Sequence, residues 1–114
     1  MSKETREEIS AAANTVAGVS CVPYHRQSPG AGDAAVRLGE IAYPDRLGGL
    51  VTWEVVVGLP QDVATAEQWI DDHKAALREA LAPAMTVRRI YPARSTYDTT
   101  QTNVLVVEGT REED

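Results

Sequence analysis

Apolar and polar residues alternate most regularly along residues 50–59. The positions on one side of an extended chain are all large and apolar: Val51, Trp53, Val55 and Val57. The positions between them include Thr52 and Glu54 and are more polar. Because side chains of a strand point alternately to its two faces, this pattern predicts a half-buried strand over about 50–59. We expect Trp53, Val55 and Val57 to lie in the core.

A helical period follows this strand. Apolar residues recur three and four positions apart, and the large ones are Trp69, Ile70, Leu77 and Leu81. This spacing places them on one face of a helix. Thr65 and Gln68 have the spacing of a capping box. The pattern predicts a helix over about 64–82 that packs these four core residues against the sheet.

The N-terminal residues carry a weaker helical stripe. Its apolar members are small for the most part: Ile9, Ala12, Ala13 and Val16. We expect a helix over about 3–17, ended by Gly18 as the residue that follows the helix. A stripe so rich in alanine buries little area, so this helix should gain stability by packing against another element or a neighbouring subunit.

The remaining β-branched segments predict four more strands, at about 19–24, 35–43, 85–93 and 102–109. Leu105 lies within the last of these, in the run Val104–Val107, and is assigned to the core. The polar residues 94–102 are interpreted as a long loop, and residues 111–114 as a solvated acidic tail. No linker or internal repeat divides the chain, which is expected to form a single domain over residues 1–114.

The predicted order is helix, three strands, helix, two strands. Short connections between successive strands favour antiparallel pairing, with the helices on one face of the sheet. The fold class predicted from this order is α+β, with a mainly antiparallel sheet of about five strands.

Charge and cysteine content narrow the classes of function. The 114 residues include 11 Lys and Arg against 17 Asp and Glu, for a net charge of −6. An acidic chain repels phosphate backbones, so no specific nucleic-acid binding is expected. Cys21 is the single cysteine, which excludes an internal disulfide. The N-terminus has no apolar run typical of a secretory signal and no stretch reaches membrane-spanning length, so we expect a cytoplasmic setting without membrane association.

One stretch has the form of a nucleotide-binding motif. Residues 27–35 read QSPGAGDAA and contain the string G-x-G-x-x-A. A dinucleotide site requires a helix to begin after the glycines, but the following segment contains Gly39 and partly alternates. No Lys-Ser or Lys-Thr pair follows either. We therefore interpret the stretch as a flexible loop that either contacts a partner or only turns the chain.

Isolated reactive residues do not converge on a catalytic site. His73 follows two aspartates but shares the apolar stripe of Trp69 and Leu77, which favours a partly buried histidine over a metal ligand. Cys21 and His25 would lie about 13 Å apart on an extended strand. Arg88, Arg89 and Arg94 form the one basic cluster, which we interpret as surface charge. No enzymatic activity, metal or cofactor is expected.

The order of these motifs resembles the tail terminator, or tail completion, proteins of long-tailed bacteriophages, particularly those of actinobacterial hosts. The likeness covers residues 22–110 and rests on short stretches listed here: Pro23-Tyr24, Pro29 to Asp33, Arg37-Leu38-Gly39, Gly48-Gly49, Thr52 to Val57 with Leu59-Pro60, and Ala66 to Leu81 with Trp69-Ile70-Asp71 and Pro83.

This resemblance implies a structural virion protein. Members of the family have a curved sheet flanked by helices and assemble as a ring, commonly of six subunits. The ring ends polymerisation of the tail tube and joins the tail to the head–tail connector protein, while DNA passes through its channel. Such a protein assembles in the host cytoplasm and resides in the virion tail. The two loops predicted above supply the candidate assembly contacts: Pro29, Gly30, Gly32, Asp33, Arg94 and Tyr97.

Two alternatives remain open at this point. A head–tail connector or neck ring protein of the same virion would have a similar architecture. A protein of a different class, a small ligand-binding or enzymatic domain, would use the loop Gly30–Asp33 and bring it into a closed pocket with His25 and Arg37.

Overall fold

The computed structural model describes residues 2–25, 30–43, 48–97 and 100–113. These form two helices and five strands in the order predicted: α1 (Ser2–Ala13), β1 (Ser20–Val22), β2 (Asp33–Ala42), β3 (Gly49–Gly58), α2 (Val63–Leu81), β4 (Thr86–Tyr97) and β5 (Thr100–Glu113). The α+β fold class with a five-stranded sheet is confirmed.

The strands form one mixed sheet in the spatial order β1-β2-β3-β5-β4. Every pair is antiparallel except β1 and β2, which run parallel over three residues from Ser20 opposite Asp33. The central strand β3 pairs with β2 on one side and with β5 on the other. Its position explains why its pattern in the sequence is the clearest.

Both helices pack on one side of the sheet, which we call the helix face, and we call the other side the outer face. Helix α1 contacts β1 and β2, and α2 contacts β4 and β5. Of the predicted core residues, six are buried: Trp53, Val55, Val57, Leu77, Leu81 and Leu105. Trp69 and Ile70 are half-buried and pack against this cluster. Burying each large side chain contributes about 1.5–3 kcal/mol before entropy is subtracted.

Helix α1 is shorter than the predicted 3–17. The helix ends at Ala13, and residues 14–18 form turns. Thr15 and Val16 donate their amides three residues back, to Ala12 and Ala13, so the chain tightens there. The side chain of Asn14 then accepts from the amide of Cys21 at 2.7 Å and donates to its carbonyl at 3.0 Å. These bonds turn the chain into β1 before the helix can continue.

The C-terminal hairpin is longer than predicted. Residues 94–102 are not a loop, because both arms of the β4–β5 hairpin continue through Arg94–Asn103 to Tyr97–Thr100. Nor are residues 111–113 a solvated tail, because they pair with β3 as far as Gly49–Glu113. Because both stretches consist almost entirely of polar residues, a search for alternating hydrophobicity does not find the strands in them. Strand β1 is also shorter than the predicted 19–24, because it pairs with β2 over only the three residues Ser20–Val22.

Helix α2 begins three residues earlier than the capping box suggested, since its N-cap is Asp62 and not Thr65. Asp62 is the N-cap, and its side chain accepts from the amide of Thr65 at 3.0 Å and from its hydroxyl at 2.9 Å. These hydrogen bonds lower the pKa of Asp62, the backbone bond having the larger effect. Thr65 therefore acts as a donor inside the first turn and not as the cap.

The glycine stretch connects three parts of the chain, a contact that we call the joint: the turn before β2, the segment from Gly18 to Ser20, and the end of β3 at Gly58. Gly32 has a φ of 86° and is buried. Its amide donates to the carbonyl of Gly58 at 2.8 Å, and its carbonyl accepts from Ser20 at 2.9 Å. A Cβ atom at this position would overlap the carbonyl oxygen of Gly18. Gly32 is therefore buried within the single chain, and its role as an assembly contact stays a prediction.

This joint predicts a contrast between two glycines of the same turn. Gly32→Ala combines a left-handed backbone with a steric overlap, so we expect it to lower the free energy of unfolding by about 2–4 kcal/mol. Gly30→Ala is the matched control, because a Cβ there meets its nearest atom, Oδ2 of Asp33, at 3.4 Å. Urea unfolding followed by circular dichroism measures both. Equal stability of the two variants would contradict the assigned role of Gly32.

Candidate assembly surface

Two reactive residues singled out in the sequence, Cys21 and His73, are held by contacts with neighbouring residues. Within it, no three His, Cys, Asp or Glu residues lie close enough together to hold a metal ion. Cys21 is buried under α1, where Ser10 also donates to its carbonyl at 2.9 Å. His73 stacks on Trp69 with ring centroids 3.9 Å apart, and its Nδ1 donates to the carbonyl of Trp69 at 2.7 Å. These contacts give both residues structural roles.

A row of four charged residues crosses the outer face. Ladder pairing places Arg37, Glu54, Glu108 and Arg89 side by side on β2, β3, β5 and β4. Arg37 binds Glu54 at 2.7 Å, and Arg89 binds Glu108 through two nitrogens at 3.0 and 3.2 Å. The hydrogen bond to Glu108 and its charge raise the pKa of Arg89. Two adjacent carboxylates are thus neutralised by one arginine at each end.

An apolar band lies beside this row. Val56, Val104 and Val106 are buried on the outer face, although the helices lie on the opposite side. Tyr91 and Ala93 of β4 pack against them. The guanidinium of Arg89 lies 4.4 Å from the ring centroid of Tyr91, which joins the band to the charged row. The apolar cluster on the outer face is thus formed by strand residues alone, without a covering helix.

Strand β2 leaves part of its length without a neighbour on one side. β1 covers only Asp33–Ala35, and no other described strand pairs with that edge. From Arg37 to Ile41 every residue of β2 is exposed. Leu38 is 41% exposed and Ile41 45%, and both lie on the helix face opposite buried residues of β3. Unpaired backbone groups beside exposed apolar side chains are features of a pairing site.

A cavity of about 430 Å³ lies beside this edge. Arg6 of α1 lines it, half-buried, and donates from Nη1 to the carbonyls of Pro23 and Val36, each at 3.1 Å. Its guanidinium lies 4.6 Å from the ring centroid of Tyr24 and 5.1 Å from that of Trp53. Among the described residues no carboxylate forms an ion pair with it. Arg6 therefore satisfies one carbonyl at the start of the open edge, that of Val36.

The β4–β5 hairpin extends past the end of the sheet. The last pair between β3 and β5 joins Gly58 to Val104, whereas β4 and β5 continue for four further pairs. Asn103 is held at the root, where its carbonyl accepts from Leu59 at 3.0 Å and its amide donates to Gln61 at 3.2 Å. We call residues 94–97 and 100–103 the arm. A two-stranded ribbon is only marginally stable in water, so the arm benefits from a partner.

The predicted assembly contacts fall at two separate places. Gly30 and Asp33 close a tight turn, in which the amide of Gly30 donates to the carboxylate of Asp33 at 2.9 Å, and Gly32 is interior. Pro29 lies outside the described residues. Arg94 and Tyr97 belong to the arm, where Arg94 is exposed. The structure therefore assigns the predicted contacts to a turn at the start of β2 and to the arm.

Sequence reasoning missed the open edge of β2. Leu38 and Ile41 are three positions apart, which is not the spacing of one strand face. A β-bulge between Leu38 and Glu40 brings them to the same face. Gly39 was the available signal, because an isolated glycine in a strand often marks a bulge. Arg6 was missed because it lies off the apolar stripe of α1.

No model of a known protein family matches the chain, and no curated protein matches it. In the part of the chain that the structure describes, neither helix combines the length and apolar character needed to cross a bilayer.

The charged row predicts a pH-dependent effect of removing one arginine. Arg89→Met leaves Glu54 and Glu108 adjacent with only Arg37 to neutralise them. We expect the midpoint of thermal unfolding to fall at pH 7 and the deficit to shrink toward pH 4. Protonation of a carboxylate removes the repulsion, so the loss belongs to the pH range above the ordinary carboxyl pKa.

Arg94→Met is the control for that measurement. It removes the same charge from the same strand, and no described carboxylate pairs with Arg94. Differential scanning calorimetry from pH 4 to pH 7 compares the two variants. A deficit of Arg89→Met that is independent of pH would show that packing on Tyr91, not charge, accounts for its effect.

Proposed function

We propose that this protein is a structural virion protein, a tail terminator that forms a hexameric ring. The ring ends polymerisation of the tail tube and joins the tail to the head–tail connector, with DNA passing through its channel. It would reside in the virion tail after assembly in the host cytoplasm. The observation that carries the proposal is the arm, a ribbon of four pairs beyond the last pair of β3 with β5, which subunits of an assembled ring would cover.

Three further features support a structural role. The α+β sheet with both helices on one face agrees with the architecture that the sequence resemblance implies. The open edge of β2 exposes backbone groups and apolar side chains that assembly would cover. A net charge of −6 suits a channel along which DNA must slide, because an acidic lining forms no ion pairs with phosphate.

The rival functions have less support from the geometry. A ligand-binding or enzymatic domain built on Gly30–Asp33 would need that turn in a pocket with His25 and Arg37. The cavity beside β2 is lined by His25 and Arg37 but not by any residue of the turn. A neck ring protein would use the same kind of surface. The two functions are distinguished by the position of the ring in the assembled virion.

Shortening the arm tests the proposal. Replacing Thr96–Gln101 by Asn-Gly, a two-residue hairpin turn, removes ribbon that lies beyond β3. We expect far-UV circular dichroism to be unchanged and the affinity for tail tubes, polymerised from the tube protein of the same virus, to fall at least tenfold. Tube length in electron micrographs and co-sedimentation measure the effect.

The full-length chain is the reference for this experiment. It should appear as rings by light scattering and negative-stain microscopy and should cap the tubes. A full-length protein that stays monomeric and leaves tube growth unchanged would overturn the proposal. Capping by the shortened variant at full affinity would remove the arm from it.

A further inference from the structure

We infer that copies of this chain join head to tail, with the open edge of β2 in one copy pairing with β4 of the next. In the part of the chain that the structure describes, two stretches of sheet edge have no strand partner: the part of β2 beyond β1, and β4 on the opposite side. The inference identifies the partner of each edge as a second copy. It deepens the proposed function and rests on it for the role of the resulting ring.

The unpaired segments lie at the same level of the sheet. Following the ladder across the strands, Val36 is level with Ile90 by way of Val55 and Val107. Glu40 is likewise level with Thr86, by way of Thr52 and Thr110. The part of β2 that β1 leaves open therefore matches the first half of β4 without any shift along the strands.

A proline of β4 lies at the level where β1 covers β2. Pro92 of β4 has no amide hydrogen to donate, and Pro in a sheet is tolerated at such edges. The ladder places Pro92 level with Ala34, by way of Leu105 and Val57. β1 already covers Ala34, where it is paired with Cys21. The one position of β4 that cannot donate thus faces the one region of β2 that needs no partner.

The strand directions suit this pairing. β2, β3, β5 and β4 alternate in direction, so β2 and β4 run opposite to each other. Copies related by rotation about a ring axis keep the same face outward, so the new pair is antiparallel. Antiparallel ladders have the more favourable hydrogen-bond geometry.

Side chains on the helix face are complementary at the two edges. Leu38 and Ile41 protrude from the edge of β2, where neither helix covers them. At the β4 edge, a groove of about 420 Å³ lies between α2 and β4 and is lined by Ile70, Ile90 and Pro92 among others. Leu38 is level with Val87, by way of Trp53 and Gly109, so Leu38 of one copy would contact Val87, which precedes Ile90 on the helix face of the next copy. Burial of a leucine side chain in this way is favourable by the hydrophobic effect.

The outer face adds a charge pair. Glu40 at the β2 edge is exposed and makes no ion pair with a described residue. Arg88 lies two residues beyond Thr86 in β4, and its side chain donates at 3.1 Å to the hydroxyl of Thr110, the residue that is level with Glu40. Pairing of the two edges would bring Glu40 of one copy next to Arg88 of its neighbour. The two edges differ, so the contact is heterologous, and such contacts produce rings when the rotation closes.

Charge exchange tests this pairing. Glu40→Arg and Arg88→Glu each place like charges across the contact, and we expect each to weaken self-association roughly tenfold. The double variant restores the pair with reversed polarity and should recover most of the affinity. Leu38→Asp, at a site already 41% exposed, should abolish association while leaving the fold intact. Sedimentation velocity over a concentration series measures association, and circular dichroism checks folding.

Asp72→Arg is the matched control. It makes the same charge change at an exposed position of α2 that lines neither the groove nor the β2 edge. Wild-type protein that stays monomeric at every concentration would overturn the inference, as would variants that all assemble like the wild type.

The outcomes separate this inference from the proposed function. Rings that cap tail tubes but tolerate every edge variant would leave the function standing and overturn edge pairing. Assemblies disrupted by the edge variants and restored in the double variant, but without effect on tail tubes, would support edge pairing and overturn the tail terminator role.

Discussion

The burial of Trp53 in the middle of β3 is the contact on which the rest of the structure depends. Its side chain is only 1% exposed, and its Nε1 donates to Oε2 of Glu113 at 3.1 Å. The hydroxyl of Thr5 donates to the other oxygen of the same carboxylate. The carboxylate of Glu113 thus connects the end of β5 to Trp53 of the central strand and to Thr5 of α1. This explains why β5 continues to Glu113 instead of ending in a solvated tail.

The two faces of the sheet are stabilised by different interactions. The helix face is covered by α1 and α2 over a continuous apolar cluster. The outer face has no such cover and relies on a small valine cluster beside a neutralised row of four charges. Exposed ion pairs contribute little to stability. The row is therefore better understood as keeping two neighbouring carboxylates compatible with one sheet than as a source of net stability.

The arrangement of the edges connects the fold to assembly. A long strand edge with exposed Leu38 and Ile41 is a liability in a monomer, because it invites uncontrolled pairing. The short strand β1 covers one end of the β2 edge, and Pro92 removes one hydrogen-bond donor from β4 at the same level. An edge limited in this manner favours one specific partner over open-ended aggregation. The arm, held at its root by Gln61 and Leu59, extends the same surface beyond the sheet.

The sequence by itself determined the elements whose periodicity is strong. The alternation around Trp53 and the helical stripe from Trp69 to Leu81 specified β3 and α2, because residues buried on one face must repeat with the period of the backbone. The order of these elements was enough for the α+β class and for placing both helices on one face.

Only the tertiary structure decided the features that depend on distant partners. The parallel pairing of β1 with β2, the polar arm and the full length of β5 have little apolar periodicity, since neighbouring strands supply their hydrogen bonds. Gly32 read as a flexible loop residue, yet packing against Gly18 makes it an interior joint. The shared face of Leu38 and Ile41 required a bulge whose position depends on register with β3. Register is a property of two strands together, and no single segment of sequence contains it.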